Sequence, residues 1–123
     1  MSDLGFPRQA RLIEADEFSS VFNFRKRLSG QYLIVYYRFN QLARPRLGLI
    51  ASKKVARAAV QRNYMRRVLR ELFRKQQSQL GAVDLVIRIQ KRFGRQEYSL
   101  VAAEFFALSE KIAQIQARAS LNG

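Results

Sequence analysis

The sequence predicts an α/β (α+β) two-layer sandwich, one small mixed sheet with helices packed on it. Three observations carry this. Apolar residues alternate with period two in three short segments and recur with period 3.6 in longer ones. The 123 residues are 48% hydrophobic, with nine Phe and five Tyr, so one domain spanning residues 1–123 can bury a core of its own. A long helical segment separates the second and third strand segments, and parallel strands need such a connection, so the sheet should be mixed. The expected order is α-β-β-α-β-α, with no internal repeat, low-complexity stretch or interdomain linker.

Residues 1–13 read as irregular and mildly basic. Asp16 suits an N-cap, and Phe18, Val21 and Phe22 then form one apolar stripe of a short helix. Arg25, Lys26, Arg27 and Gly30 should end it. A strand is expected from about Gln31 to Phe39. Leu33, Val35, Tyr37 and Phe39 would make its apolar face, and Tyr32, Ile34, Tyr36 and Arg38 a mixed one. Asn40 to Pro45 reads as a turn, and Arg46 to Ser52 as a second strand. The longest periodic segment, about Val60 to Gln76, sets Met65, Val68, Leu69, Leu72 and Phe73 on one side of a helix. Gly81 breaks the chain, and Val83 to Gln90 reads as a third strand with Val83, Leu85, Ile87 and Ile89 inward. After a basic loop, Lys91 to Arg95, a last helix covers about Gln96 to Ala119. Its core stripe is Tyr98, Val101, Ala102, Phe105, Leu108, Ile112 and Ile115.

The charge is one-sided: 23 Lys and Arg against 9 Asp and Glu, a formal net +14. Such a surface calls for an anionic partner. There is no Cys and no His, which excludes disulfides, thiolate metal sites, cysteine nucleophiles and histidine-based catalysis. A nuclease acting alone would need clustered carboxylates to hold metal ions, and the acids are scattered. Residues 1–7 lack the apolar core of a signal peptide, and the longest apolar run, Leu33 to Tyr37, is too short to span a bilayer. A cytoplasmic, RNA- or DNA-associated protein without catalysis of its own is the expectation.

The positive charge is also local. Residues 51–76 hold nine basic side chains and one acid, Glu71, whereas residues 97–123 hold two basic and three acidic ones. On a helix at about 100° per residue, Arg62, Asn63, Arg66, Arg67, Arg70 and Arg74 gather on one arc beside the apolar stripe. Arginines spaced i, i+4, i+8 repel one another, and an ordinary solvated face mixes signs, so an anion is expected between them. Arginine pairs with phosphate bidentately and stacks on bases. The mixed face of the first strand, tyrosines beside Arg38, suits either cross-strand packing or the stacking of single-stranded bases.

The segment Ala59-Val-Gln-Arg-Asn-Tyr-Met-Arg-Arg-Val-Leu-Arg-Glu71 resembles the arginine-rich signature of the protein subunit of bacterial ribonuclease P. Arg46-Leu-Gly-Leu-Ile-Ala-Ser-Lys-Lys-Val55 resembles that family's strand and Ser-Lys-Lys turn. Glu17-Phe18 with Val21-Phe22, and the stretch Gly81 to Ile89, also fall in the family's order.

The resemblance implies a left-handed β-α-β crossover and one further short strand, giving α-β-β-(β)-α-β-α. It implies a ribonucleoprotein that removes the 5′ leader of precursor tRNA. The partners would be the ribonuclease P RNA and precursor tRNA, with no membrane and no protein partner. That RNA would carry the catalytic centre and hold the Mg2+, with no metal or catalytic residue on the protein. Carried over by position, Lys53, Lys54, Arg57, Arg62, Asn63, Arg66, Arg67 and Arg70 would face the RNA subunit. Phe18, Phe22 and Tyr36 would line the cleft for the leader, with Lys91 matched by position and Arg88 by strand alternation. Tyr64 departs from the family's basic or polar residue and should pack at the edge of the apolar stripe. The alternative is a ribosomal-type or general binder of structured RNA with no part in tRNA processing.

Overall fold

The computed structural model describes residues 26–41 and 44–122. Along the chain come β1 (Lys26–Ser29), β2 (Leu33–Phe39), β3 (Arg46–Ile50), α1 (Ala59–Gln76), β4 (Val83–Ile89), a 3-10 turn at Arg95–Glu97 and α2 (Tyr98–Asn122). The strands form one sheet in the order β1-β2-β4-β3. β1 and β4 each run antiparallel to β2, and β3 runs parallel to β4. The sheet is therefore mixed, as expected, with α1 as the connection between its parallel pair. The helix expected around Phe18 and Phe22 lies outside the described residues.

One element departs from expectation. Lys26–Ser29, read from the sequence as the end of a helix, is an edge strand. Its single apolar residue, Leu28, is too little to show any periodicity. It is a strand because β2 supplies a pairing partner, Leu28 opposite Val35 and Ser29 opposite Ile34. The additional strand thus precedes the other three and does not follow the second of them. Its charged, four-residue length suits an edge that must not recruit other chains.

Alternation divides the sheet cleanly. Leu33, Val35 and Tyr37 of β2, Leu47 of β3, and Val83, Leu85, Ile87 and Ile89 of β4 are buried on one face. Met65, Val68, Leu69, Leu72 and Phe73 of α1 and Val101, Phe105 and Ile112 of α2 complete that core. These are the helix stripes that the periodicity marks out. Each such side chain contributes on the order of 1.5–3 kcal/mol by leaving water.

The β1–β2 turn is held by the distant helix α2. The Glu104 carboxylate accepts the backbone N–H of Gln31 at 3.0 Å, Tyr32 at 2.9 Å and Leu33 at 2.8 Å. The Gln90 side-chain amide donates to the Gly30 carbonyl at 2.5 Å. A Cβ at Gly30 would overlap the Glu104 carboxylate, so only glycine lets the turn approach the helix. The carboxylate thus satisfies the backbone donors of the turn and of the first residue of β2.

Candidate nucleic-acid interface

Two cationic surfaces stand on opposite sides of the sheet. The first is α1 and its approach. Lys53 and Lys54 sit exposed in a turn after β3, where the Ser52 carbonyl accepts the N–H of Val55 and of Ala56, each at 3.2 Å. Arg57, Asn63, Arg67 and Arg70 are exposed, and Arg62 and Arg66 are half-buried. The arginines are not equivalent. Arg62 turns back, its guanidinium donating to the carbonyls of Ala56 at 2.9 Å and Arg57 at 2.7 Å, and so fixes the loop that leads into the helix. Arg66 donates to the Asn63 side-chain oxygen at 3.1 Å, so Asn63 orients a cation one turn away. Arg74 pairs with Glu71, and that guanidinium holds the Glu71 carboxyl below the usual carboxylate range.

The second surface is the sheet face turned away from α1 and α2. Directly paired strand residues point to the same side, so the register defines three rows. Arg27, Tyr36, Val86 and Gly48 form the middle row. Ser29, Ile34, Arg88 and Ile50 lie on one flank, and Arg38, Asp84 and Arg46 on the other. Asp84 and Val86 are fully buried although they belong to this face and not to the main core.

Asp84 organises its row. Arg46 donates to both carboxylate oxygens at 2.9 Å, Asn40 to one at 2.6 Å, and Arg38 to the other at 3.1 Å. Burial pushes the Asp84 carboxyl up, but the bonds from Arg46, Asn40 and Arg38, with the Arg46 charge, outweigh it and hold the pKa below the ordinary value. One carboxylate against two guanidinium groups leaves the row net positive and rigid. Such a face presents apolar and aromatic groups flanked by fixed cations, which suits unstacked bases and the phosphates between them.

The ribonuclease P family model matches residues 6–113.

The chain belongs to the ribonuclease P protein family.

It is 42% identical over 120 residues to the ribonuclease P protein component of Chromobacterium violaceum, covering 98% of this chain and 99% of that one. It is 43% identical over 110 residues to that of Ralstonia pickettii, covering 89% of this chain and 79% of the relative. The solved RNase P protein of Thermotoga maritima superposes with a TM-score of 0.73 at 28% identity, covering 83% of this chain and 96% of that one. An RNase P protein from Staphylococcus aureus shares the fold at a TM-score of 0.62 and 24% identity, covering 87% and 94% of the two chains.

In this chain, the positions expected to face RNA, Lys53 through Arg70, lie on α1 and the turn that leads into it. The positions matched to the leader cleft divide. Phe18 and Phe22 lie outside the described residues. Arg88 shares the face of Tyr36, two residues from its partner Val86. Lys91 lies past the end of β4, its Nζ 5.1 Å from the Tyr32 ring centroid. Tyr32 corrects the expected alternation: it precedes β2, is 5% exposed and packs edge-on against Phe93, so it does not join Tyr36.

The Arg38–Asp84–Arg46 row was not visible in the sequence, where Asp84 has no evident partner. Its signal is only parity, and parity becomes contact once β4 is known to insert between β2 and β3.

Proposed function

We propose that the chain acts as the protein component of ribonuclease P by binding the catalytic RNA through α1 and its approach, while the opposite sheet face holds the 5′ leader of precursor tRNA. The observation that supports this is the separation of two cationic surfaces by one sheet, in a member of the ribonuclease P protein family. Arg66, Arg67, Arg70, Lys53 and Lys54 would neutralise phosphates of the RNA subunit. Tyr36, Ile34 and Arg88 would contact leader nucleotides, with Arg38 and Arg46 held ready for phosphates by Asp84. Arg62 would act from behind, by shaping the loop at the start of the helix.

The protein's contribution is positioning and charge neutralisation. Holding the leader raises the population of productive geometry, and screening phosphates lowers the divalent-ion concentration that the RNA needs. Mg2+ belongs with the RNA in this reading. Glu71, Asp84, Glu97 and Glu104 are each engaged by protein donors. Among the described residues no group of three or more His, Cys, Asp or Glu is placed to hold a metal ion. No described helix is long and apolar enough to cross a membrane, and the site of action would be the cytoplasm, where tRNA precursors are processed.

The test is cleavage of a labelled precursor tRNA at low Mg2+ by the protein, by a bacterial ribonuclease P RNA, and by both. Correct 5′ processing only in the mixture is expected. Cleavage by the protein alone, surviving repurification, would overturn the assignment of chemistry to RNA.

A further inference from the structure

The start of α1 and the loop after β4 border a shallow, open hollow that neither cationic surface uses. It has a volume of about 360 Å³ and is lined by Ala58, Val60, Gln61, Tyr64, Phe93, Gly94 and Arg95. That size lies within the range of small-ligand clefts, about 300–1,000 Å³. Its floor is the half-buried Tyr64 ring, held from behind by the buried Phe93 ring at 6.3 Å and 63°. Its rim carries Val60, which is 76% exposed although it is a large aliphatic residue on a helix. The lining holds one charged group, Arg95, and no acid; the nearby Glu97 carboxylate is occupied by the Gly94 N–H at 2.7 Å. Gln61 supplies a side-chain amide able both to donate and to accept.

The hollow opens at the head of the arginine helix. The Arg62 guanidinium fixes the backbone that leads into it, donating to the carbonyls of Ala56 and Arg57. An apolar, aromatic hollow with an amide on its wall and one guanidinium, Arg95, at its edge is complementary to one planar base carried on a phosphate chain. An apolar peptide would leave Arg95 unmatched.

We infer that this hollow receives a single unstacked nucleobase of the ribonuclease P RNA, seated on Tyr64, which Phe93 backs, beside Val60, with Gln61 at the base edge and Arg95 at its phosphate. The inference rests on the proposed RNA-facing role of α1 and adds to it a contact that reads a base where the arginines read charge.

The test uses the full chain assembled with the RNA subunit. With Val60 replaced by the photo-crosslinking residue benzoylphenylalanine, irradiation should join the protein to one unpaired nucleotide of that RNA, mapped by reverse-transcription stops. Tyr64→Leu should weaken RNA binding about 5- to 100-fold, while Tyr64→Phe retains it. Val60→Gln, at an exposed position that cannot disturb folding, should weaken it in the same direction. None of these should change the slope of log affinity against log salt, whereas Arg66→Ala should reduce that slope by about one.

Adducts on helical nucleotides, on precursor tRNA or on a second protein chain would overturn the inference. Unchanged affinity in Tyr64→Leu and Val60→Gln would do the same. If Arg66→Ala weakens binding and the hollow variants do not, the base site alone fails. If Arg66→Ala is also silent, the RNA-facing role of α1 falls and the base site with it.

Discussion

Asp84 is the residue whose loss the fold should feel most on its second face. It is fully buried and holds two arginines and an asparagine. Asp84→Asn keeps the shape and removes the charge, which leaves Arg46 half-buried against a neutral group. We expect a loss of about 2–3 kcal/mol, smaller than for a wholly buried pair because both arginines reach solvent. The pH dependence has a definite sign. The folded Asp84 carboxyl titrates below its unfolded value of about 3.9. Its contribution is therefore complete above about pH 4 and is lost as pH falls toward the folded value. Urea unfolding at pH 6 and pH 3.5 should show a steeper acid loss in the parent chain than in Asp84→Asn. Arg62 and Asn63 teach the converse lesson. The sequence leads one to expect both to face RNA, yet one bonds the preceding loop and the other a neighbouring arginine. A sequence shows the residue types at such a site but not which cations are spent on the protein's own architecture.

Among the elements, the helices were the most legible. Their stripes need only the 3.6-residue period, and Met65, Val68, Leu69, Leu72 and Phe73 are all buried as that period requires. β2 and β4 were legible through alternation, whereas β1 was not, because its strand character comes from its partner and not from its own residues. The turn between β1 and β2 is likewise decided at a distance, by Glu104 more than seventy residues away. Glu104→Ala should cost about 1–2 kcal/mol and speed hydrogen exchange at the amides of Gln31, Tyr32 and Leu33. Gly30→Ala should be destabilising in the parent chain and much less so beside Glu104→Ala, since the overlap that a Cβ creates is with that carboxylate. Additive losses in thermal unfolding of the four proteins of this cycle would mean that Gly30 serves the backbone conformation instead.

At the scale of the whole molecule, charge dominates. If six side chains reach phosphates of the RNA subunit, log affinity should fall with log salt with a slope on the order of −4 to −5. A slope near −1, measured by filter binding across a salt series, would remove the basic helix as the contact. The free protein, at net +14, repels itself and should gain in Tm when sulfate or phosphate is added, through ions that prefer the folded surface. Sheet class and layer count could be read from periodicity, but strand order could not, because nothing in β2 or β3 says that a later strand will separate them.

That order, β1-β2-β4-β3, has a consequence during synthesis. β2 and β3 emerge from the ribosome early and close together in sequence, yet they cannot pair with each other in the finished sheet. Each waits with a bare edge for Val83–Ile89, some thirty residues behind β3. Until that strand arrives the nascent chain holds a vacant lane one strand wide, bordered by apolar edges, which is the condition in which foreign strands pair and aggregates begin. The intervening helix carries a dense positive charge, and like charge opposes the close approach of two such chains during that interval.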